Sequence, residues 1–382
     1  GVITAMVALL ALAGCGALGD PDDELPQASG DDAASFRLRF PAAATKNTTR
    51  VGGGDELGDV AGAATAAFPA TSEKSRPNAV ALVDREDWQS GVAASVLAAS
   101  PVKASILLSD GGDLPEVTAD TLERLRPKGS SEADGAQVIL VGNKPPAPDR
   151  FKSTLIDGSE PYGLAASIDR FYSAAKGKPS DNVIVASGER SEFAMPAAAW
   201  AARSGDSVLF TTKDSLPEAT RRAINAHERP RIFVLGPETV VSPAVEQQLG
   251  KLGRVRRIDG RTPVENAIAF ARFQSGRFGW GITVPGYNFA LASTSRPLDA
   301  AASASLATNG IFAPLLVTDS RRELPRALEG FFLDVQPGYE TDPSQGVYNR
   351  VFILGDEETI SQGVQARLDS VTELVPVDRE RR

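Results

Sequence analysis

The sequence predicts an α/β protein of three tandem modules, each a small, mainly parallel sheet flanked by helices, arranged as a pseudo-threefold body. Three observations predict it. One apolar cadence is written three times along the 382 residues. Within each copy, short continuous apolar runs, as in strands covered on both faces, alternate with helical stretches of roughly ten to fourteen residues, the mark of βαβ units. The links near residues 150 and 253 run from one strand towards the next without a Gly/Ser linker, so neighbouring modules are expected to share contacts.

The first copy reads Val51-Gly52-Gly53, Ala79 to Val83, Ser105 to Leu108, Leu114-Pro115 and Val138 to Gly142. The second reads Ile156-Asp157-Gly158, Val183 to Ala186, Val208 to Phe210, Leu216-Pro217 and Ile232 to Gly236. The third reads Ile258-Asp259-Gly260, Gly281 to Val284, Leu315 to Val317, Leu324-Pro325 and Val351 to Gly355. The Leu-Pro prolines stand 102 and 108 residues apart. That period is too long for a solenoid and matches duplication of a small domain.

Local signals place the helices. Ser242-Pro243 reads as an N-cap followed by proline at the first helical position, ahead of the stripe Val241, Val245, Leu249, Leu252. Ile360, Val364 and Leu368 repeat that stripe in the third copy. Thr262-Pro263-Val264-Glu265 reads as a capping box, with Gly260 and its counterpart Gly158 serving the strand-to-helix turn. The first copy has Pro145-Pro146-Ala147-Pro148 where the others have a helix, and that run is not helical. The third copy stretches Gly279 to Pro297, with Trp280, Tyr287 and Phe289, between strand and helix. It also inserts Gly330 to Arg350, with Phe331 and Phe332. Such loops suit sugar stacking or a protein contact, or pack back over their own module.

The cadence resembles the type 2 cell-wall-binding repeat family of bacterial surface proteins, over residues 48 to 378. Arg50-Val51-Gly52-Gly53-Gly54-Asp55 fits the family's module opening well, and Ile156-Asp157-Gly158 and Ile258-Asp259-Gly260 fit it loosely. The resemblance implies three α/β modules that hold proteins non-covalently on anionic wall polymers.

The start of the chain bears on location. Residues 3 to 13 are almost wholly apolar, and Leu12-Ala13-Gly14-Cys15 follows as a lipobox, so residues 1–15 read as a lipoprotein signal segment ending at a lipidated Cys15. No charged n-region precedes the apolar run, so residues before Gly1 are expected. Residues 16–47 are rich in Asp, Ala, Gly and Pro and read as a disordered acidic tether. The modules are then expected at 48–149, 150–252 and 253–382. These readings put the protein at the cell envelope, lipid-anchored on the extracytoplasmic face of the membrane.

A net charge of −9 argues against nucleic acid as the main partner, and one cysteine allows no internal disulfide. Catalytic signals are thin. His227, the only histidine, reads as a helix C-cap. No G-x-S-x-G elbow or zinc-ligand set appears, and carboxylate pairs such as Asp110 and Asp113 are weak evidence in a chain with 49 acids. No catalytic residue, metal or cofactor is therefore expected.

Ligands of open α/β sheets collect beyond the carboxyl ends of the strands. For the second strand of each copy those ends are read as Asp84 to Trp88, Ser187 to Arg190 and Pro285 to Asn288. Arg85, Trp88, Arg190, Tyr287 and Asn288 are the candidate wall-polymer contacts, beside helix N-termini that favour anions. Surface ion pairing is the alternative for the two arginines. Arg254, Arg256, Arg257 and Arg261 form a second basic cluster. The reading is a membrane-tethered wall-binding lipoprotein with no enzyme activity of its own. The rival readings are an extracytoplasmic enzyme acting on wall polysaccharide and a protein-interaction scaffold using the third-copy loops.

Overall fold

The computed structural model describes residues 43–143 and 145–377, so the lipobox and most of the expected tether lie outside the described residues. The first third holds β1 (Ala43–Ala44), β2 (Thr48–Val51), α1 (Glu56–Ala67), β3 (Ala79–Asp84), α2 (Trp88–Ala94), β4 (Ala104–Ser109), α3 (Glu116–Leu125), β5 (Val138–Val141) and β6 (Ser153–Ile156). Next come α4 (Pro161–Lys176), β7 (Asn182–Ser187), α5 (Ser191–Ala194), α6 (Pro196–Ser204), β8 (Ser207–Thr211), α7 (Glu218–Ala226), β9 (Arg231–Leu235), α8 (Pro243–Gly250) and β10 (Arg254–Ile258). The last third holds α9 (Pro263–Arg272), β11 (Asn288–Ser293), α10 (Asp299–Leu306), β12 (Leu315–Thr318), α11 (Arg326–Asp334), β13 (Gly338–Tyr339), β14 (Arg350–Leu354), α12 (Gln362–Val371) and β15 (Val375–Pro376).

The strands form three four-stranded parallel sheets, ordered β4-β3-β5-β6, β8-β7-β9-β10 and β12-β11-β14-β2. β1 adds one antiparallel strand to β2. Residues 43–47, placed in the tether by composition, belong to this folded edge: Asn47 is buried and donates its amide N–H to Asp369. β13 and β15 pair by themselves.

Sequence repeat and sheet divide the chain at different points. The strand that opens each sequence copy completes the sheet of the copy before it. β6 pairs with β5, β10 with β9, and β2, the first long strand, with β14 of the last copy. The helix that follows then crosses over. α4 packs on β8 and α7, α9 on β12 and α11, and α1 on β4 and α3. The three units therefore interlock in a ring that closes between the two ends of the chain. The Ala-rich helices α2, α6 and α10 meet at its centre. Small side chains permit that approach: a Cβ on Gly91 would lie 2.7 Å from Leu298 Cδ2.

Local signals are realised with some shifts. Thr262 caps α9 by accepting the Glu265 N–H, but the Glu265 carboxylate turns to the Arg261 N–H, so the expected box is half formed. Ser242 stands at the N-cap of α8 with Pro243 behind it, yet its hydroxyl makes no cap bond. A Cβ on Gly260 would lie 2.3 Å from the Asn266 nitrogen, so the turn needs glycine. As expected, no helix joins β5 to β6.

The third copy departs from the sequence reading. Its strand is Asn288–Ser293, not Gly281 to Val284. The apolar Gly-Ile-Thr-Val run has strand composition, but Gly279 and Gly281 take φ of +95° and +65°, and Pro285-Gly286 breaks it again. Only Ile282 is buried in it, held by its N–H on the Ala271 carbonyl. Phe331 and Phe332 lie on α11, not in a loop, and pack edge-on against Phe289 in the core.

An arginine staple recurs. Arg50 of β2 is buried and donates to the carbonyls of Gly355 and Ile360, in the connection from β14 to α12, and to Gln365 Oε1 of α12. Arg257 of β10 makes the equivalent bonds to Gly236, Val241 and Glu246. The counterpart in β6 is Leu155, half exposed because no helix follows β5 to cover it.

Candidate functional site

The carboxyl ends of the strands give three equivalent crevices. In each unit the last residue of the central strand turns the chain into the next helix: Asp84, Ser187 and Ser293 accept the N–H of Glu86, Glu189 and Ser295 at 3.0, 3.1 and 3.3 Å. Three residues past those strand ends stand Asp87, Arg190 and Arg296.

The first crevice is open. It encloses about 280 Å³ lined by Asp84, Asp87, Ser109, Asn143, Gly158 and Ser159, where β3, β4 and β5 end. Asp87 is spent on capping α2. Arg85 sits on the rim 3.5 Å from Asp110. Trp88 starts α2 and stands edge-on against Phe210 at 5.8 Å, sealing the first unit to the second.

In the second crevice Arg190 pairs with Glu192 at 2.7 Å and lies over the Phe193 ring. Behind it Asn266 is fully buried, with its Nδ2 on the Phe193 carbonyl and its oxygen unpaired.

The third crevice is filled. Arg296 bonds Asp59 Oδ2 at 2.8 Å and the Gly54 carbonyl at 2.7 Å, and approaches Asp356 at 3.8 Å. Asp59, from α1, also accepts the Gly53 N–H at 2.7 Å. Beside it Asp299 of α10 is wholly buried, and no N–H or O–H of another residue type reaches its oxygens. Its neighbour there is Asp59, whose charge disfavours ionisation of Asp299. Burial, then the charge of Asp59, pushes the Asp299 pKa well above the usual range. Burial also lifts Asp59, to about 6, against the opposing pull of Asp299, Arg296 and the Gly53 N–H. Closed to solvent, this pair joins α1 to α10 and offers no reach to a substrate.

Of the five expected contacts, the structure brings Arg85, Trp88 and Arg190 to the carboxyl ends. Arg85 and Arg190 are not at equivalent positions. Tyr287 and Asn288 lie at the opposite end: Tyr287 precedes β11 and Asn288 opens it, because the third strand starts seven residues later than read. The Tyr287 N–H bonds Asn349 Oδ1, and Asn288 Nδ2 bonds the Ile311 carbonyl at 2.7 Å. The residue missed is Arg296. The shared Ser-x-x-Arg spacing of Ser187 to Arg190 and Ser293 to Arg296 was the available signal.

His227 is the C-cap residue of α7, as expected. Its ring is buried, with Nδ1 2.8 Å from the Ser180 carbonyl and Nε2 3.0 Å from Asp169. Both neighbours are acceptors, so both ring nitrogens carry protons and the pair is imidazolium with carboxylate. Burial opposes that charge, but the Asp169 bond and charge and the Ser180 carbonyl outweigh it and raise the pKa. Of the basic cluster, Arg257 is the staple above, Arg261 pairs with Glu265 and Arg256 bonds Ser275. Among the described residues no group of three or more His, Cys, Asp or Glu is placed to hold a metal, and no helix is long and apolar enough to cross a membrane.

Residues 156–246 match the family model of Cell wall binding domain 2 (CWB2). The span runs from the end of β6 into α8, so it follows the sequence repeat and not the sheet. A curated relative, "Amidase enhancer" of Bacillus subtilis (strain 168), is 29% identical over 204 residues, 53% of this chain and 27% of that protein. Two solved structures share the fold. Cwp6 from Clostridium difficile has a TM-score of 0.67 at 18% identity, over 85% of this chain and 47% of that one. Cwp8 from Clostridium difficile has 0.64 at 17%, over 90% and 54%. The chain thus spans about a quarter of the curated relative and about half of each solved structure.

Proposed function

We propose that this chain, whose repeat is that of the type 2 cell-wall-binding family, is a lipid-tethered envelope protein that binds an anionic wall glycopolymer through three modules of residues 48–149, 150–252 and 253–382. The observation that carries the reading is the family match at 156–246 inside a ring of three like units. The family is a binding domain, which favours adhesion over catalysis. Cys15 is the proposed lipid site, with diacylglycerol and the wall as two separate holds on the envelope.

Arg85 and Arg190 are proposed as contacts with the polymer's acidic groups. Their present ion pairs are exposed and worth little, about 0–1 kcal/mol, so a multivalent anion displaces them readily. The test is sedimentation of purified protein with host walls across a salt series. Binding is expected to weaken as salt rises, and Arg85→Ala with Arg190→Ala to weaken it further. Equal sedimentation of parent and double variant at every salt concentration would reduce both arginines to surface pairs. For the anchor, Cys15→Ser is expected to move the protein from the detergent phase to the aqueous phase; unchanged partitioning rejects the lipobox.

A further inference from the structure

At the amino ends of the strands of the second sheet, opposite the three crevices, lies a pocket of about 380 Å³. Four cations from three segments line it: Lys176 at the end of α4 with Lys178 just after it, Arg203 at the end of α6, and Arg277 between α9 and β11. Among the described residues none of the four is ion-paired with a carboxylate. Lys176 lies 6.0 Å from the Tyr172 ring centroid, and the Arg203 guanidinium stacks over Phe312 at 4.0 Å, beside the pocket. Phe312 is 42% exposed.

Two acids also line the pocket, but one is already engaged. Asp206 is buried and accepts from the Trp200 indole at 2.9 Å, Ser180 at 2.5 Å and Asn182 at 3.2 Å. It fixes the floor. Asp181 stands exposed at the edge. Four cationic side chains thus line the pocket with two carboxylates, one of them saturated by donors. On a protein of net charge −9 this concentrates positive potential in one concave place. Trp200 packs edge-on against Trp280 at 5.3 Å, so an aromatic wall adjoins the charges.

We infer that this pocket takes a phosphate group, either free or borne on a phosphodiester-linked polymer. Lysine supplies point charges and arginine a planar fork of donors, and together they suit a multivalent oxyanion better than a single carboxylate. The inference does not rest on the wall-binding reading, which uses the other end of the sheets.

The test reads the indole N–H signals of the three tryptophans by NMR while inorganic phosphate replaces chloride at constant ionic strength. Trp88→Phe assigns the remote signal. The Trp200 indole is expected to shift saturably while Trp88 stays still, and Lys178→Gln with Arg277→Gln to weaken the titration by about tenfold or more. Equal drift of all three signals, no saturation, or an unchanged midpoint in the double variant overturns the inference. Wall sedimentation of the same variant separates the sources: weaker sedimentation assigns the phosphate to the polymer, and equal sedimentation to a free ion. If even the parent fails to sediment, the wall reading falls and the phosphate titration still stands on its own.

Discussion

The buried carboxyls of Asp59 and Asp299 make stability depend on pH in a stated direction. In the unfolded chain both groups titrate near 3.8; in the folded chain both are raised, Asp59 to about 6 and Asp299 further. Between pH 4 and 6 the folded state therefore binds more protons than the unfolded state, and stability falls as pH rises. For Asp59 the shift corresponds to about 3 kcal/mol, absent below pH 4 and complete above pH 6. Asp299, raised well above its usual range by burial and by the charge of Asp59, acts in the same direction.

Asp299→Asn isolates the effect. The amide keeps the shape, does not titrate, and can donate one N–H towards Asp59. The second N–H is left buried without a partner, at about 1–2 kcal/mol. The variant is thus expected to be more stable than the parent at pH 7, with a shallower slope between pH 4 and 6. Urea unfolding at half-unit pH steps measures both. A variant with the parent's slope, or one less stable than the parent at pH 7, would refute the raised pKa of Asp299.

Other perturbations probe the remaining buried polar groups. His227 is expected to titrate above its usual 6.5, and its contribution to be full below pH 6.5 and lost as pH rises through the raised value; its ring-proton NMR signal reports this without overlap, since it is the only histidine. His227→Ala leaves Asp169 buried and unpaired and is expected to cost about 3–5 kcal/mol at pH 6 by urea unfolding. Arg50→Met leaves two carbonyls and Gln365 without donors and is expected to cost about 2–4 kcal/mol; Arg257→Met, half exposed at its Glu246 partner, costs less in the same assay. Gly260→Ala drives a Cβ into the backbone of α9 and is expected to lower thermal stability by about 1–3 kcal/mol, read by calorimetry.

The three-copy architecture was legible because strands buried on both faces must be continuously apolar, and β3, β7 and β9 leave no alternative. The interlocking was not. Ile156 and Ile258 look like openings of their copies, and nothing local in a four-residue strand tells which neighbour it pairs with. The third copy misled for a related reason. β11, Asn-Phe-Ala-Leu-Ala-Ser, carries little β-branched bulk, while Gly281 to Val284 has strand composition over a backbone that its glycines turn. That slip of seven residues placed Tyr287 and Asn288 at the wrong end of the sheet and hid Arg296. The charged seam was beyond sequence reasoning altogether, since Asp59 and Asp299 stand 240 residues apart.

The three crevices began as copies and now differ where the chain's topology differs. β5 and β6, and β9 and β10, are joined covalently, so the first and second sheets cannot lose their last strand. β14 and β2 come from opposite ends of the chain, and only non-covalent contacts hold that join. The polar clamps concentrate there: the fully buried Arg50 staple, Lys46 on Glu373, Asn47 on Asp369, and Arg296 with Asp59 in the crevice above. At the position of Asp59 the second unit has Asn266 and the first has Leu164, neither able to form an ion pair. The third crevice is thus spent on closing the ring. The first crevice is open and Arg190 of the second is exposed, so at this end of the sheets the third module is expected to serve binding by closing the ring while the other two present crevice contacts.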